Sequence, residues 1–316
     1  MKSLLYPHMK TKGISLVLIL FVFLVACDGG KKKKKKDDTP ATDTTKTETA
    51  SKKSSHPKLS REVLSDIVKS IPSPLEISFL IKDLGIQYDQ KLLNSADNIS
   101  NYNTKYKKAL NLGIYSTDLG YANIYEQTQD ALYYLNSVKE MADGLNIGQF
   151  FDFKTIKRLA TKSNNLDSLL LETNTNLEKI NDHLQEIGRA DLTILILTGG
   201  WLESLYITCE IAKKSPNELL NNRIGEQKII LEQLLLLLSF YEELPNVKSL
   251  IVDLNKLQKI YDNVKIDFQY NDPTTTEDDN GILIVDDNTS TKINFTNEDL
   301  EKILKTSRDI RSKIIN

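Results

Sequence analysis

Acids set among aromatic side chains in otherwise apolar sequence are the first residues with chemical potential. Tyr115-Ser116-Thr117-Asp118-Leu119-Gly120-Tyr121, followed by Tyr125, places Asp118 between tyrosines at i−3 and i+7. Thr198-Gly199-Gly200-Trp201, with Glu203 and Tyr206 just beyond, is a second patch of the same kind. Helical spacing puts the Asp118 set on one face, where the carboxylate is at least partly buried and must find hydrogen-bond partners. If the patches meet across a bundle, two outcomes follow. Tyr115, Asp118, Tyr121, Tyr125, Trp201, Glu203 and Tyr206 either line a polar pocket with aromatic walls or form a buried network that fixes helix register.

Other chemistries lack their residues. His183 is the sole histidine beyond residue 56, and it sits on a charged helix face expected to be exposed. Histidine-based triads and histidine-rich zinc sites are therefore excluded. Glu277-Asp278-Asp279-Asn280-Gly281 invites a calcium reading. An EF-hand frame ending at Gly281 puts Thr276 at the first ligand position, and the loop lies between strands, so it reads as a solvated turn. No phosphate-binding glycine loop, nucleophile elbow or His-Glu-x-x-His is present. No catalytic residue, metal or cofactor is assigned.

Of the two cysteines, Cys209 stands in an apolar run and reads as core. Cys27 is different. Lys2, Lys10 and Lys12 precede an apolar run from Ile14 to Val25 that is too short to span a bilayer and suits a signal peptide, beginning at Met1 or Met9. The run ends in Leu24-Val25-Ala26-Cys27, which resembles the lipobox of bacterial lipoproteins. That resemblance implies cleavage before Cys27 and acyl chains such as palmitate on it, and two or three chains anchor stably where one is marginal. Residues 1–26 are thus read as signal peptide and 27–56 as a lipidated, disordered tether. Six lysines at 31–36 and a Thr/Lys/Ser-rich stretch offer nothing to bury. About 25 such residues reach roughly 25–30 Å, enough to hold a domain clear of the headgroups.

The tether also takes the positive charge. Of 41 basic and 43 acidic residues, twelve lysines and five acids lie in residues 1–56, so the remainder carries a charge near −9. A domain that acidic, without a basic stripe, argues against nucleic-acid binding.

The elements beyond the tether announce themselves by their stops. Ser73-Pro74-Leu75-Glu76 and Ser215-Pro216-Asn217-Glu218 read as capping boxes with proline at the first helical position, and Thr296 with Asp299 as a weaker one. Pro245 fits another first turn. Apolar residues at steps of three and four from Leu110 to Ala142 predict one helix of about 40 residues, and Leu166 to Ile187 a second. Ala190 to Lys214 and Ile229 to Tyr241 are apolar nearly all round. Such helices belong at the middle of a bundle. A membrane span over 192–212 would put Glu203 and Glu210 in lipid, so a central helix, with Gly199-Gly200 admitting a neighbour, is the better reading. Val264, Ile266, Phe268 and Tyr270 alternate, as do residues 291–295, with an apolar run at 282–285 and turn residues at 286–288.

The expected fold is mainly α: a bundle of about seven to nine helices over 57–263, then a small antiparallel β element and final helix over 264–316 packed on the same domain. The lipobox, polar tether, Tyr-Ser-Thr-Asp-Leu-Gly-Tyr and Thr-Gly-Gly-Trp stretches and late strand region together resemble helical lipoproteins of Bacteroidota-type bacteria. The resemblance implies a cell-envelope address, at the outer rather than the inner membrane, and no activity. Three functions stay open: a non-catalytic protein that binds or scaffolds an unknown protein partner, a carrier or sensor of a small or apolar ligand between helices, and an enzyme. Carboxylates converging in a cleft favour the enzyme; a cavity lined by Tyr115, Tyr121 and Trp201 favours the carrier.

Overall fold

A computed structural model describes residues 60–161, 166–270, 274–277, 283–286 and 290–316. The lipobox, the tether and the 278–281 loop lie outside the described residues. The chain is mainly α-helical, with ten α-helices among the described residues. They are α1 (Arg61–Ser70), α2 (Pro74–Asp83), α3 (Lys105–Ile124), α4 (Thr128–Gly144), α5 (Phe153–Thr161), α6 (Leu166–Glu186), α7 (Ala190–Lys214), α8 (Glu218–Ser239), α9 (Pro245–Tyr261) and α10 (Asn297–Ile315). Short 3₁₀ turns at Gln90–Leu92 and Ala96–Asn101 join α2 to α3.

α7 is the axis of the bundle. By length and composition it could cross a membrane, yet 94% of its most apolar stretch is buried inside the protein. It packs along α3 and against α2, α6, α8 and α10. Leu192, Ile194, Leu195, Leu202, Leu205 and Ile207 are all nearly inaccessible, each such burial worth about 1.5–3 kcal/mol. Glycine sets the approach of α3. A Cβ on Gly113 would overlap the Ile196 carbonyl, and one on Gly199 would overlap that of Leu110. The two backbones therefore touch, and Thr117 Oγ1 closes the contact by donating to the Gly200 carbonyl at 3.1 Å.

Three expectations change in detail. The periodic run from Leu110 to Ala142 is two helices, α3 and α4, because Glu126 adopts a φ of 59° and reverses the chain. That break, with the short α1 and α5, raises the helix count to ten. α8 is capped by Asn217, whose Oδ1 accepts from Leu219 N at 2.9 Å, rather than by Ser215. The box at α10 is complete instead of weak, with Thr296 and Asp299 satisfying each other's backbone N–H groups. Ser73 and Pro74 open α2, and Pro245 opens α9, as their sequence suggests.

The described residues fall into two compact units. One holds the helices with β1 (Lys265–Gln269) paired antiparallel to β4 (Ser290–Asn294), Ile266 opposite Ile293. The other holds β2 (Thr274–Glu277) paired antiparallel to β3 (Leu283–Asp286). β2, made of Thr274, Thr275, Thr276 and Glu277, carries no apolar signal and goes unforeseen. The alternation in β1 does not bury its aromatic residue: Phe268 and the following Tyr270 are exposed.

Candidate functional site

Asp118 of α3 and Glu203 of α7 meet in the centre of the helical unit, both fully inaccessible to solvent. The third member is Arg311 of α10, which the sequence reading missed. Its guanidinium grips Glu203 through both carboxylate oxygens, Nε to Oε2 at 2.5 Å and Nη2 to Oε1 at 2.6 Å. Nη2 also donates to the Leu92 carbonyl at 3.2 Å, and the guanidinium lies 4.4 Å from the centre of the Tyr206 ring. A planar fork of this kind suits a carboxylate better than a lysine would. Burial opposes the Arg311 charge, but Glu203 beside it more than compensates and its pKa is raised. Removing one partner of such a pair strands the other, at a cost of about 3–5 kcal/mol.

Asp118 plays a different part. Its Oδ2 accepts from the Asn94 backbone N–H at 3.1 Å. Its Oδ1 meets no donor, and the side chain lies near the Glu203 carboxylate. Two carboxylates can meet this way only with a proton between them. Burial, then the charge of Glu203, push Asp118 well above the usual carboxylate range, so Asp118 carries that proton.

Neutral polar groups complete the shell. Asn94 Nδ2 donates to Tyr102 Oη at 3.0 Å, and Tyr102 in turn donates to the Ile315 carbonyl at 3.1 Å. Asn111 Nδ2 donates to the Ile314 carbonyl at 3.3 Å. These bonds satisfy carbonyls in the last turn of α10, which have no partners within the helix. Tyr115 donates to the Ser95 carbonyl at 2.8 Å, and its ring lies beside those of Tyr102 and Tyr134. One turn from Arg311, Arg308 pairs with Glu210 of α7, so two arginines clamp α10 to α7.

Of the seven residues expected to gather, the structure brings Asp118, Glu203, Tyr206 and Tyr115 into this region. The other three lie elsewhere. Tyr121 and Tyr125 pack with Tyr88, their ring centres 4.9 Å apart and each within 6 Å of Tyr88. Tyr125 cannot share Asp118's face because it terminates α3 rather than continuing it. Its hydroxyl donates to the Ile86 carbonyl at 2.7 Å. Trp201 turns to an apolar cavity on another side of α3, with its Nε1 donating to Gln227 Oε1 at 2.9 Å.

That cavity has a volume of about 150 Å³. Leu75, Leu112, Phe151, Leu177, Ile196 and Trp201 are among its walls, with Ser116 and Asn176 the polar side chains of interest. A separate open cleft of about 630 Å³ lies over Gln90, Ser95, Asp130 and Tyr133. Cys209 is fully buried, and burial pushes its thiol far up, which makes it inert. His183 is half-buried beside Phe150 rather than exposed. Among the described residues no three His, Cys, Asp or Glu side chains converge as a metal site.

Comparison of the chain with protein-family models, with curated proteins and with solved structures finds no match in any of the three.

Proposed function

We propose that this chain is a cell-envelope lipoprotein, anchored by acyl chains on Cys27, whose helical unit works by binding rather than by catalysis. Leu24-Val25-Ala26-Cys27 after a short basic and apolar leader carries the anchoring. The non-catalytic half of the reading is supported by where the acids are. Asp118 and Glu203 converge, but in a buried cluster with Arg311 rather than in a cleft that a substrate enters. An acid–base pair must reach the proton it moves, and these reach only each other. The cluster ties α3, α7 and α10 together, giving a rigid platform for a protein partner at the membrane surface.

A carrier or sensor of a small ligand is the second reading, and the apolar cavity beside Trp201 favours it. The walls differ from those the sequence suggested, since Trp201 lines the cavity without Tyr115 or Tyr121.

The anchor is tested by growing cells with an alkyne-bearing fatty acid and comparing the wild type with Cys27→Ala. The expected result is label on the wild-type chain in the membrane fraction and none on the variant. Equal labelling of both would remove the anchor from the account.

A further inference from the structure

The open cleft of about 630 Å³ along α4 is lined by side chains that solvent reaches. Gln129, Tyr133 and Asn136 of α4 stand at i, i+4 and i+7, so they form one ridge along its wall. Gln90 and Ser95, from the segment between α2 and α3, belong to the other side. These five residues are exposed, whereas Leu93 and Tyr134, which also line the cleft, are buried. Tyr133 is the unusual member. It is 46% exposed, yet its side chain is held in place. Its hydroxyl donates to Asp97 Oδ1 at 3.0 Å, and its ring meets that of Tyr134 edge-on, the centres 6.1 Å apart and the planes at 75°. An exposed ring fixed in this way loses little freedom when a ligand lies on it.

The polar groups restrict what that ligand is. A side-chain amide both donates and accepts, as a sugar hydroxyl does, and Gln90, Gln129 and Asn136 bring three amides to the cleft. Among the described residues Gln129 and Asn136 make no side-chain hydrogen bond, and Gln90 spends one amide hydrogen on Asp130 Oδ1 at 3.0 Å. The other oxygen of Asp130 accepts from Tyr88 at 2.8 Å, so this carboxylate is already committed. Lys91 is the one cation in the lining, and Asp130 offsets it, which leaves no net charge to draw an anion. An apolar guest would strip water from the amides without replacing their hydrogen bonds. A pyranose meets both demands, with a C–H face for the ring of Tyr133 and hydroxyls for the amides.

We propose that this cleft binds an uncharged oligosaccharide, one pyranose ring lying against Tyr133 and its hydroxyls bonded to Gln129, Asn136 and Gln90. The volume lies in the roughly 300–1,000 Å³ range of small-ligand sites. This inference goes beyond the platform reading. The cleft shares no residue with the Trp201 cavity and needs no acyl chain, so its failure would leave the anchor and the platform standing.

The full chain in lipid nanodiscs is titrated with neutral trisaccharides of glucose, mannose, galactose and N-acetylglucosamine, and with trigalacturonic acid as the charged counterpart. Binding is read by saturation-transfer NMR on the sugar protons. The expected result is saturable binding of at least one neutral trisaccharide in preference to trigalacturonate. Tyr133→Ala should weaken it about tenfold, and Tyr133→Phe, which keeps the ring, should stay within about threefold of wild type. Asn136→Ala should cost about threefold to tenfold, the worth of one hydrogen bond. Both positions are exposed, so all three variants should melt close to the wild type. No saturable binding of any neutral trisaccharide would overturn the proposal. Binding that Tyr133→Ala leaves unchanged would place the sugar outside this cleft and overturn it too, and a preference for trigalacturonate would overturn the uncharged ligand.

Discussion

A carboxylic acid held protonated in the core leaves a signature that no surface acid does. In the unfolded chain Asp118 ionises at an ordinary aspartate value, near pH 4. In the folded protein burial and Glu203 keep it protonated to higher pH. Folding therefore takes up a proton, and stability falls as pH rises from about 4 through the folded value. Asp118→Asn removes this dependence. The amide keeps an acceptor for the Asn94 N–H and offers an N–H to Glu203. Wild type and variant should melt alike near pH 4, and the variant should gain up to about 1.4 kcal/mol relative to wild type for each further pH unit. Thermal melts of the pair from pH 4 to 8 check this. A variant that tracks or falls below the wild type throughout would show that Asp118 is ionised in the fold.

The residues of this cluster were legible in unequal measure. Asp118, Glu203 and Tyr206 show themselves because acids and a hydroxyl in helices with no polar face must be partnered. Arg311 does not. It lies 108 residues from Glu203 in a helix rich in lysine and arginine, where nothing local separates a core arginine from a solvated one. The cue was indirect: two buried acids in one core require a cation or a shared proton, and Arg311 is that cation.

At the scale of elements, punctuation decided what could be read. Ser73 and Thr296 mark helix starts with side chains that accept from free backbone N–H groups, Pro74 and Pro245 by a fixed φ and a missing N–H, and those starts lie where expected. The turn between α3 and α4 has no such mark. Tyr125-Glu126-Gln127 contains neither glycine nor proline, yet Glu126 takes the left-handed conformation that closes α3, its N–H donating to the Asn123 carbonyl and that of Gln127 to the Ala122 carbonyl. The Gly199-Gly200 pair was the most informative doublet, since it foretold the close approach that α3 makes. Gly199→Ala would drive a methyl group into the Leu110 carbonyl. The backbone there cannot give way without parting α3 from α7, so a loss of about 3 kcal/mol is expected, the upper end for overpacking. Gly85→Ala is the control, because nothing lies within 4 Å of its Cβ and only its φ of +73° resists, at about 1–2 kcal/mol. Urea unfolding of the two variants compares them. An alanine at 199 no worse than one at 85 would mean that the helices stand further apart than described.

At the scale of the whole molecule, fold class follows from composition and period, since helices apolar all round have nowhere to go but the middle of a bundle. The hairpin of β2 and β3 shows the limit, because Thr274–Glu277 pairs through its backbone and carries no apolar pattern to announce it. Charge divides along the chain as well. Lysines crowd residues 1–56, and the acidic excess lies beyond them; under the proposed anchoring, like charge would keep the acidic part off an anionic lipid surface that the lysines attract. On the proposed reading, anchor, tether and helical unit form one device, a binding platform held a short distance from a membrane. The most direct test of that claim is the intact mass of the native chain extracted from its cells in detergent. The expected mass begins at Cys27 and carries a diacylglyceryl group with or without a further acyl chain. A mass beginning at Met1 or Met9, or one beginning at Cys27 without lipid, would contradict the account.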